Sequence, residues 1–189
     1  FAGITPLLAQ DSHTTDTDRK WSMPDHAVVQ FAANIGLLSA GPGYSYLKDK
    51  VNSEIMYGFT PGFESNTSIH MLTLKSSYHP FKKELSENYM LDVLRIGTGI
   101  SYSYGPQFHT SWPSRYPESY YWWASSLRFT PFIGTAISRE VGAKYTHIKR
   151  VELYGEIGST DLDIVSKWGN KNLSLWDITN LAFGTKLVF

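Results

Sequence analysis

The chain contains no cysteine, which excludes disulfide bonds and cysteine-ligated metal sites. It has no excess of either charge, because 17 Lys and Arg residues balance 17 Asp and Glu residues. This balance argues against a nucleic-acid partner. No stretch approaches the roughly 20 consecutive apolar residues that a transmembrane helix requires. A chain of 189 residues is expected to form a single main domain.

Aromatic residues, in contrast, are abundant at 15 % of the chain, with 12 Tyr and 6 Trp. Such an excess is typical of carbohydrate-binding surfaces, of β-sheet cores and of the aromatic belts of membrane barrels. The mean hydropathy of −0.25 resembles that of a soluble protein. It does not exclude a membrane barrel, because strands of alternating polarity also average to such a value.

The last eleven residues, 179–189, alternate in polarity as one strand of a half-apolar sheet would. One face would carry Leu181, Phe183, Thr185, Leu187 and Phe189. The positions of Gly184, Leu187 and Phe189 resemble the assembly signal on the closing strand of bacterial outer-membrane barrels. Ala182 departs from that signal, which usually has a polar residue there. The resemblance implies that the barrel-assembly machinery is a partner.

Period-two alternation predicts long strands along most of the chain. We predict them over residues 27–40, 51–60, 68–78, 90–104, 120–138, 146–158 and 179–189. The triplet Gly41-Pro42-Gly43 is interpreted as the end of the first strand, residues 80–88 and 105–118 as loops, and Pro131 as a bulge or break. In residues 159–176, Thr160 could cap a short helix, or the segment could supply a seventh strand.

These lengths suit membrane strands of about 9–11 residues better than the average soluble strand of about 5–6. Residues 1–26 are polar and predict a loose arm or a periplasmic segment, followed by a barrel over residues 27–189. The predicted fold is therefore all-β: an eight-stranded antiparallel transmembrane β-barrel with an N-terminal arm.

The polar face of these strands mixes charges of both signs with glycine. We predict a lumen charge network of Glu54, Lys75, Arg95, Arg128, Glu152, Glu156 and Lys186. Glycine weakens strands, and small residues beside opposite charges are what the narrow interior of an eight-stranded barrel requires. The alternative is that these charges lie on the solvent-exposed surface of a soluble, ligand-binding barrel.

Several runs resemble a family of small bacterial outer-membrane barrels of poorly characterised function. They are Asn34 to Ser39, Tyr57-Gly58-Phe59, His79-Pro80-Phe81 and Leu173 to Ile178. The resemblance, which extends to ring-forming barrels of the PopA type, implies location in the bacterial outer membrane and contact with outer-membrane lipid. It also implies homo-oligomers.

His109 and Ser111 have the His-x-Ser spacing of PagL-type lipid A deacylases, with Glu118 as a possible orienting acid. The match is incomplete, because Trp112 follows the serine where these enzymes have Asn. No spacing suggests a metal site, and we predict no cofactor. The sequence thus favours a non-enzymatic, self-associating barrel with a structural or lipid-organising role and a lumen plugged by charged side chains. The alternatives are a lipid A acyl hydrolase and a narrow pore.

Overall fold

The computed structural model describes residues 23–62, 67–105, 108, 126–142, 147–170 and 172–189. It contains eight strands that close into an antiparallel barrel in sequence order. They are β1 (His26–Ala32), β2 (Leu38–Tyr46), β3 (Val51–Thr60), β4 (Ile69–Ser86), β5 (Tyr89–Tyr104), β6 (Leu127–Glu140), β7 (Arg150–Gly158) and β8 (Asn180–Val188). The prediction of an eight-stranded antiparallel barrel is therefore confirmed.

The first strand closes the barrel by pairing with both β2 and β8. His26 lies opposite Gly43 on one side and opposite Val188 on the other. We call the end of the barrel that carries Asp25 and Phe189 the termini end, and the opposite end the loop end. Closure gives every strand two partners, so the sheet has no unpaired edge.

The alternation of the strands places charge inside the barrel and apolar side chains outside it. Glu54 and Arg95 are fully buried, whereas Leu153 is 55 % exposed and Leu181 is 54 % exposed. Among the described residues, the hydrophobic side chains buried within the barrel include Val28, Met56, Ala136, Tyr154 and Ala182, and the ring of Phe132 also faces inward, beside Lys75. The alternative prediction, in which the charged face of the sheet is exposed to water, is wrong for Glu54 and Arg95.

The segment predicted as one strand over residues 27–40 is in fact two strands joined by a tight turn. Ala32 and Ala33 adopt left-handed φ values of 64° and 63°, and the turn returns the chain into β2. The predicted interruption at residues 41–43 is wrong, because they lie within β2. Gly41 allows close approach instead: a Cβ there would collide with the carbonyl oxygen of Ile55.

Two further predictions, the loop at residues 80–88 and the bulge at Pro131, are not met. The predicted loop at residues 80–88 is largely strand, because β4 runs through Pro80 to Ser86, with a register shift against β5 between Tyr78 and Phe81 that accommodates the proline. Pro131 causes no bulge in its pairing with β5. The carbonyl of Pro131 points toward β7 and accepts from the N–H of Ser159. The proline nitrogen, which carries no N–H, lies on the same side, where the β6–β7 ladder has already ended, so no ladder hydrogen bond is lost.

The described residues of 159–176 form helices and turns and supply no strand. Thr160 caps a helix, α1 (Asp161–Gly169), by accepting from the N–H of Asp163 at 3.1 Å, and a short 3₁₀ helix follows at Trp176–Ile178. The described part of the chain has no helix with the length and apolarity needed to cross a membrane. Of the predicted arm, residues 1–22 lie outside the described ranges, and His26 belongs to β1.

We expect Gly184→Ala to destabilise the barrel by about 1–3 kcal/mol through overpacking. The backbone at Gly184 accepts any residue, but an added Cβ would meet the ring of Tyr154 in the interior. The measurement is a urea titration of the folded protein followed by tryptophan fluorescence. The control is Gly142→Ala, where a Cβ meets open space; equal losses in the two variants would contradict the expected packing.

Candidate functional site in the charged interior

Arg95 on β5 lies at the centre of the interior, surrounded by three carboxylates. Its Nη1 donates to Oε1 of Glu152 at 3.1 Å, and its Nη2 lies 3.8 Å from Oε1 of Glu54. Its Nε lies 3.1 Å from Oε1 of Glu156, an ion-pair contact without hydrogen-bond alignment. The guanidinium also stacks over the ring of Tyr154, with 4.2 Å from Cζ to the ring centroid. A planar group with several donors suits this multiple contact.

Two lysines complete the cluster from either side of Arg95. Lys75 on β4 donates to Oε2 of Glu156 and to Oε1 of Gln30, both at 2.6 Å. Lys186 on β8 lies 3.4 Å from Oε1 of Glu152 and 3.7 Å from Oε1 of Glu54. The six ions therefore come from β3, β4, β5, β7 and β8, and they connect opposite walls of the barrel.

The cluster balances three acids against three bases, and each of the six residues is 4 % exposed or less. An isolated charge in such surroundings would be strongly unfavourable. Each ion here has at least one partner of opposite sign, so the arrangement offsets much of the desolvation cost, although such clusters add little net stability.

Of the seven residues predicted for this network, the structure brings together six: Glu54, Lys75, Arg95, Glu152, Glu156 and Lys186. Arg128 is the exception. It is half-buried near the loop end of β6, where its Nη1 donates to the carbonyl oxygen of Leu127 at 2.7 Å, and the ion pairs of the cluster form without it. Alternation correctly places it on the inner face of its strand, but alternation carries no information on depth along the barrel.

Toward the termini end, the interior holds a second polar group that the sequence analysis missed. Nδ1 of His79 lies 2.6 Å from Oδ2 of Asp92, and its Nε2 lies 3.0 Å from Nδ2 of Asn52. Asn52 accepts from Ser45 at 2.8 Å, and Ser45 lies 3.3 Å from Nδ1 of His26. The sequence does contain a signal for this group. His26 and His79 lie at even spacing from other inward residues of β1 and β4, so alternation places both side chains inside the barrel.

Ser77, His79 and Asp92 have the connectivity of a Ser-His-Asp triad, since the hydroxyl of Ser77 lies 3.0 Å from Nε2 of His79. Ser77 is only 3 % exposed, however, and the amide of Asn52 shares the same histidine nitrogen. The donor of Asn52 and the hydroxyl of Ser77 both satisfy an Nε2 acceptor when Nδ1–H donates to Asp92. These hydrogen bonds connect β3, β4 and β5 inside the barrel, and they leave the serine without access to a substrate.

The turn between β2 and β3 reaches across the termini end of the barrel. Leu47, Lys48 and Asp49 all adopt left-handed φ, and Asp49 accepts from Nη2 of Arg150 on β7 at 2.9 Å. Burial alone would raise the pKa of the Asp49 carboxyl, but the hydrogen bond and charge of Arg150 outweigh it and hold that pKa below its usual value. The ion pair between Asp49 and Arg150 therefore contributes stability at neutral pH. This contribution is lost as the pH falls through the lowered pKa of Asp49.

At the loop end, a cavity of about 30 Å³ lies above Lys75, between Gln30, Ile35, Pro131 and Phe132. A volume of this size corresponds to roughly one water molecule. Among the described residues, no group of three or more His, Asp or Glu side chains is placed to hold a metal ion. His109, Ser111 and Glu118, the candidates for acyl hydrolysis, lie outside the described residues.

Comparison of the chain with protein-family models, with curated proteins and with solved structures gave no match. The resemblance to small outer-membrane barrels, and with it the assembly signal, stays a prediction. In the structure Gly184 faces inward against Tyr154, and the N–H of Phe189 donates to the carbonyl of Asp25 at 3.0 Å.

We expect Arg95→Met to destabilise the barrel by about 3–5 kcal/mol, because it leaves buried carboxylates without their shared cation. The measurement is again a urea titration. Lys83→Met, on the exposed part of β4, is the control and should change the free energy of unfolding by less than about 0.5 kcal/mol. Adding Glu156→Gln to Arg95→Met should cost less than the sum of the single changes; additive losses would show that the two side chains do not interact.

Proposed function

We propose that the protein is a bacterial outer-membrane barrel that spans the lipid bilayer and has a structural or lipid-organising role without catalytic activity. The observation that carries the proposal is the reversed polarity of the barrel. Six paired ions fill its interior, while large apolar side chains cover its outer surface. Membrane barrels have this distribution, and soluble barrels of the lipocalin type have the opposite one.

The apolar wall is too continuous to be a set of scattered surface residues. Outward side chains that are at least 38 % exposed include Val29, Phe31, Leu38, Ile55, Leu72, Leu74, Ile96, Ile100, Phe129, Ile133, Ile137, Leu153, Ile157, Leu181 and Phe183. They come from all eight strands. Contiguous apolar surface on this scale indicates contact with lipid or protein, and a closed barrel can meet lipid without unsatisfied backbone groups.

Aromatic residues flank the aliphatic part of this wall. On β5, the outward residues Val93, Ile96 and Ile100 lie between Tyr89 near the termini end and Tyr104 at the loop end. Tyrosine prefers the boundary between hydrocarbon and headgroups, where its ring is in apolar surroundings and its hydroxyl is in water. The order of side chains along this strand therefore supports a membrane position, with the two ends of the barrel at opposite surfaces.

We further propose that the lumen is closed. The balanced ion cluster spans the barrel, the cavity beside Lys75 has a volume of about 30 Å³, and the Asp49–Arg150 contact crosses the termini end. An eight-stranded barrel is just wide enough for side chains to fill.

The partners in the proposal are outer-membrane lipid, the barrel-assembly machinery and further copies of the chain. The exposed wall supports lipid contact and self-association alike, and particle size in detergent distinguishes single barrels from rings.

We expect Leu153→Arg to destabilise the membrane-inserted barrel by about 2–4 kcal/mol, because Leu153 lies midway along β7 on the proposed lipid face. The measurement is a urea titration of protein folded into phosphatidylcholine vesicles. The control is Val141→Arg, at the turn beyond β6, which should change stability little. A barrel that purifies without detergent, and in which the two arginine variants are equally stable, would refute the membrane position.

We expect the wild-type protein to show no steady conductance in planar lipid bilayers, because the paired ions block the interior. Lipid A extracted from cells with and without the protein should have identical masses. Steady currents that change with Arg95→Met would instead support a pore. Loss of an acyl chain that depends on Ser111 would support the hydrolase.

A further inference from the structure

The segment between β7 and β8 exposes its largest apolar side chains to an unusual degree. Trp168 on α1 is 84 % exposed, and Trp176 and Leu175 are 78 % and 67 % exposed. Val165, one turn before Trp168 on the same face of α1, is also exposed. Tryptophan rarely lies this open on an ordered segment, and an exposed apolar patch of this kind marks an interaction site.

The patch belongs to an ordered and anchored segment. The hydroxyl of Ser159 donates to the carbonyl of Ile178 at 2.6 Å, which joins the two ends of the segment, and Ile178 is buried. The N–H of Ser159 donates to the carbonyl of Pro131 on β6. Helix α1 contacts β6 and the 3₁₀ helix. The tryptophans therefore hold a defined position at the loop end of the barrel.

The segment joins the barrel at the apolar wall. Ile157 and Leu181 face each other across β7 and β8 as an outward pair just before the segment begins and just after it ends. Phe129 is outward on the neighbouring β6. The cavity at the loop end is lined by strand residues and by the β1–β2 turn, and α1 contributes nothing to it.

We propose that this segment lies on the membrane surface at the loop end, with Trp168, Leu175 and Trp176 inserted among the lipid headgroups; this inference rests on the proposed function. Tryptophan favours this depth, and a short helix with an apolar face can lie flat in the interface. Two of the three acids in the segment take part in local contacts, since Asp163 accepts from the hydroxyl of Thr160 and Asp177 accepts from the N–H of Ser174, and the third, Asp161, is half-buried. The aliphatic neighbours Val165 and Leu175 suit lipid better than a sugar, which needs polar partners around the stacking ring.

The absence of cysteine makes the test direct, because a single cysteine variant carries one label. We would attach an environment-sensitive fluorophore to Trp168→Cys and Trp176→Cys in protein folded into vesicles of phosphatidylcholine and phosphatidylglycerol. The matched control is Ser166→Cys, which is exposed on α1 two residues before Trp168, on another face. Leu153→Cys reports on the barrel wall.

We expect the labels at 168 and 176 to shift to shorter emission wavelengths and to lose intensity when nitroxide-labelled lipid is added. The label at 166 should instead be quenched by iodide in the water. If iodide quenches 168 and 176 as it does 166, while nitroxide lipid still quenches 153, the barrel is inserted and the surface proposal is wrong. If nitroxide lipid fails to quench 153 as well, the membrane position itself is wrong. Protection of 168 and 176 by soluble oligosaccharide without lipid quenching would assign the patch to sugar binding.

Discussion

The contact of one arginine with three glutamates is the interaction on which the barrel interior depends. Arg95 reaches Glu54, Glu152 and Glu156, which come from β3 and β7, and the two lysines supply the remaining positive charge. Charges of one sign could not share so small a space without water. The neutral total lets eight strands close around ions where a soluble barrel would have a hydrophobic core.

The size of these side chains determines how the rest of the interior is filled. Long charged side chains leave little room, so neighbouring inward positions carry small residues. A Cβ at Gly99 would lie 2.7 Å from Oγ1 of Thr130, and one at Gly134 would lie 2.9 Å from Cγ of Glu156. Glycine, which weakens an isolated strand, here accommodates the ions. The polar groups around His79 occupy the termini end in the same manner, with hydrogen bonds in place of apolar packing.

With ions inside, the apolar side chains face outward, and this arrangement has consequences for function. A wall of exposed aliphatic residues between tyrosines suits a bilayer, and the β7–β8 segment, which begins and ends beside that wall, adds exposed tryptophans. The interior holds charges that are paired with one another, together with a buried serine that contacts His79, and this suits a closed structural element better than a reaction site. The outer surface is therefore where we expect the protein to act.

Much of this arrangement could be read from local sequence. Alternation identifies the inward position of each of the six clustered ions, because strand side chains change face at every residue. Prolines and glycines were less informative. Gly41 predicts a strand end and the charged residues 80–88 predict a loop, yet Gly41 allows a close approach to Ile55, and a register shift against β5 accommodates Pro80 within β4. Such features depend on the neighbouring strand, which the local sequence does not reveal.

The sequence by itself determined the strand class, the faces of the strands and the composition of the polar face, since these follow from period-two alternation. Tertiary structure alone decided which strands are neighbours, how residues 27–40 divide into two strands, and which six of the predicted charges form one cluster. It also decided that His79 meets Asp92. The physical reason is that depth along a barrel depends on register and turn geometry, and these are set by contacts between residues far apart in the chain.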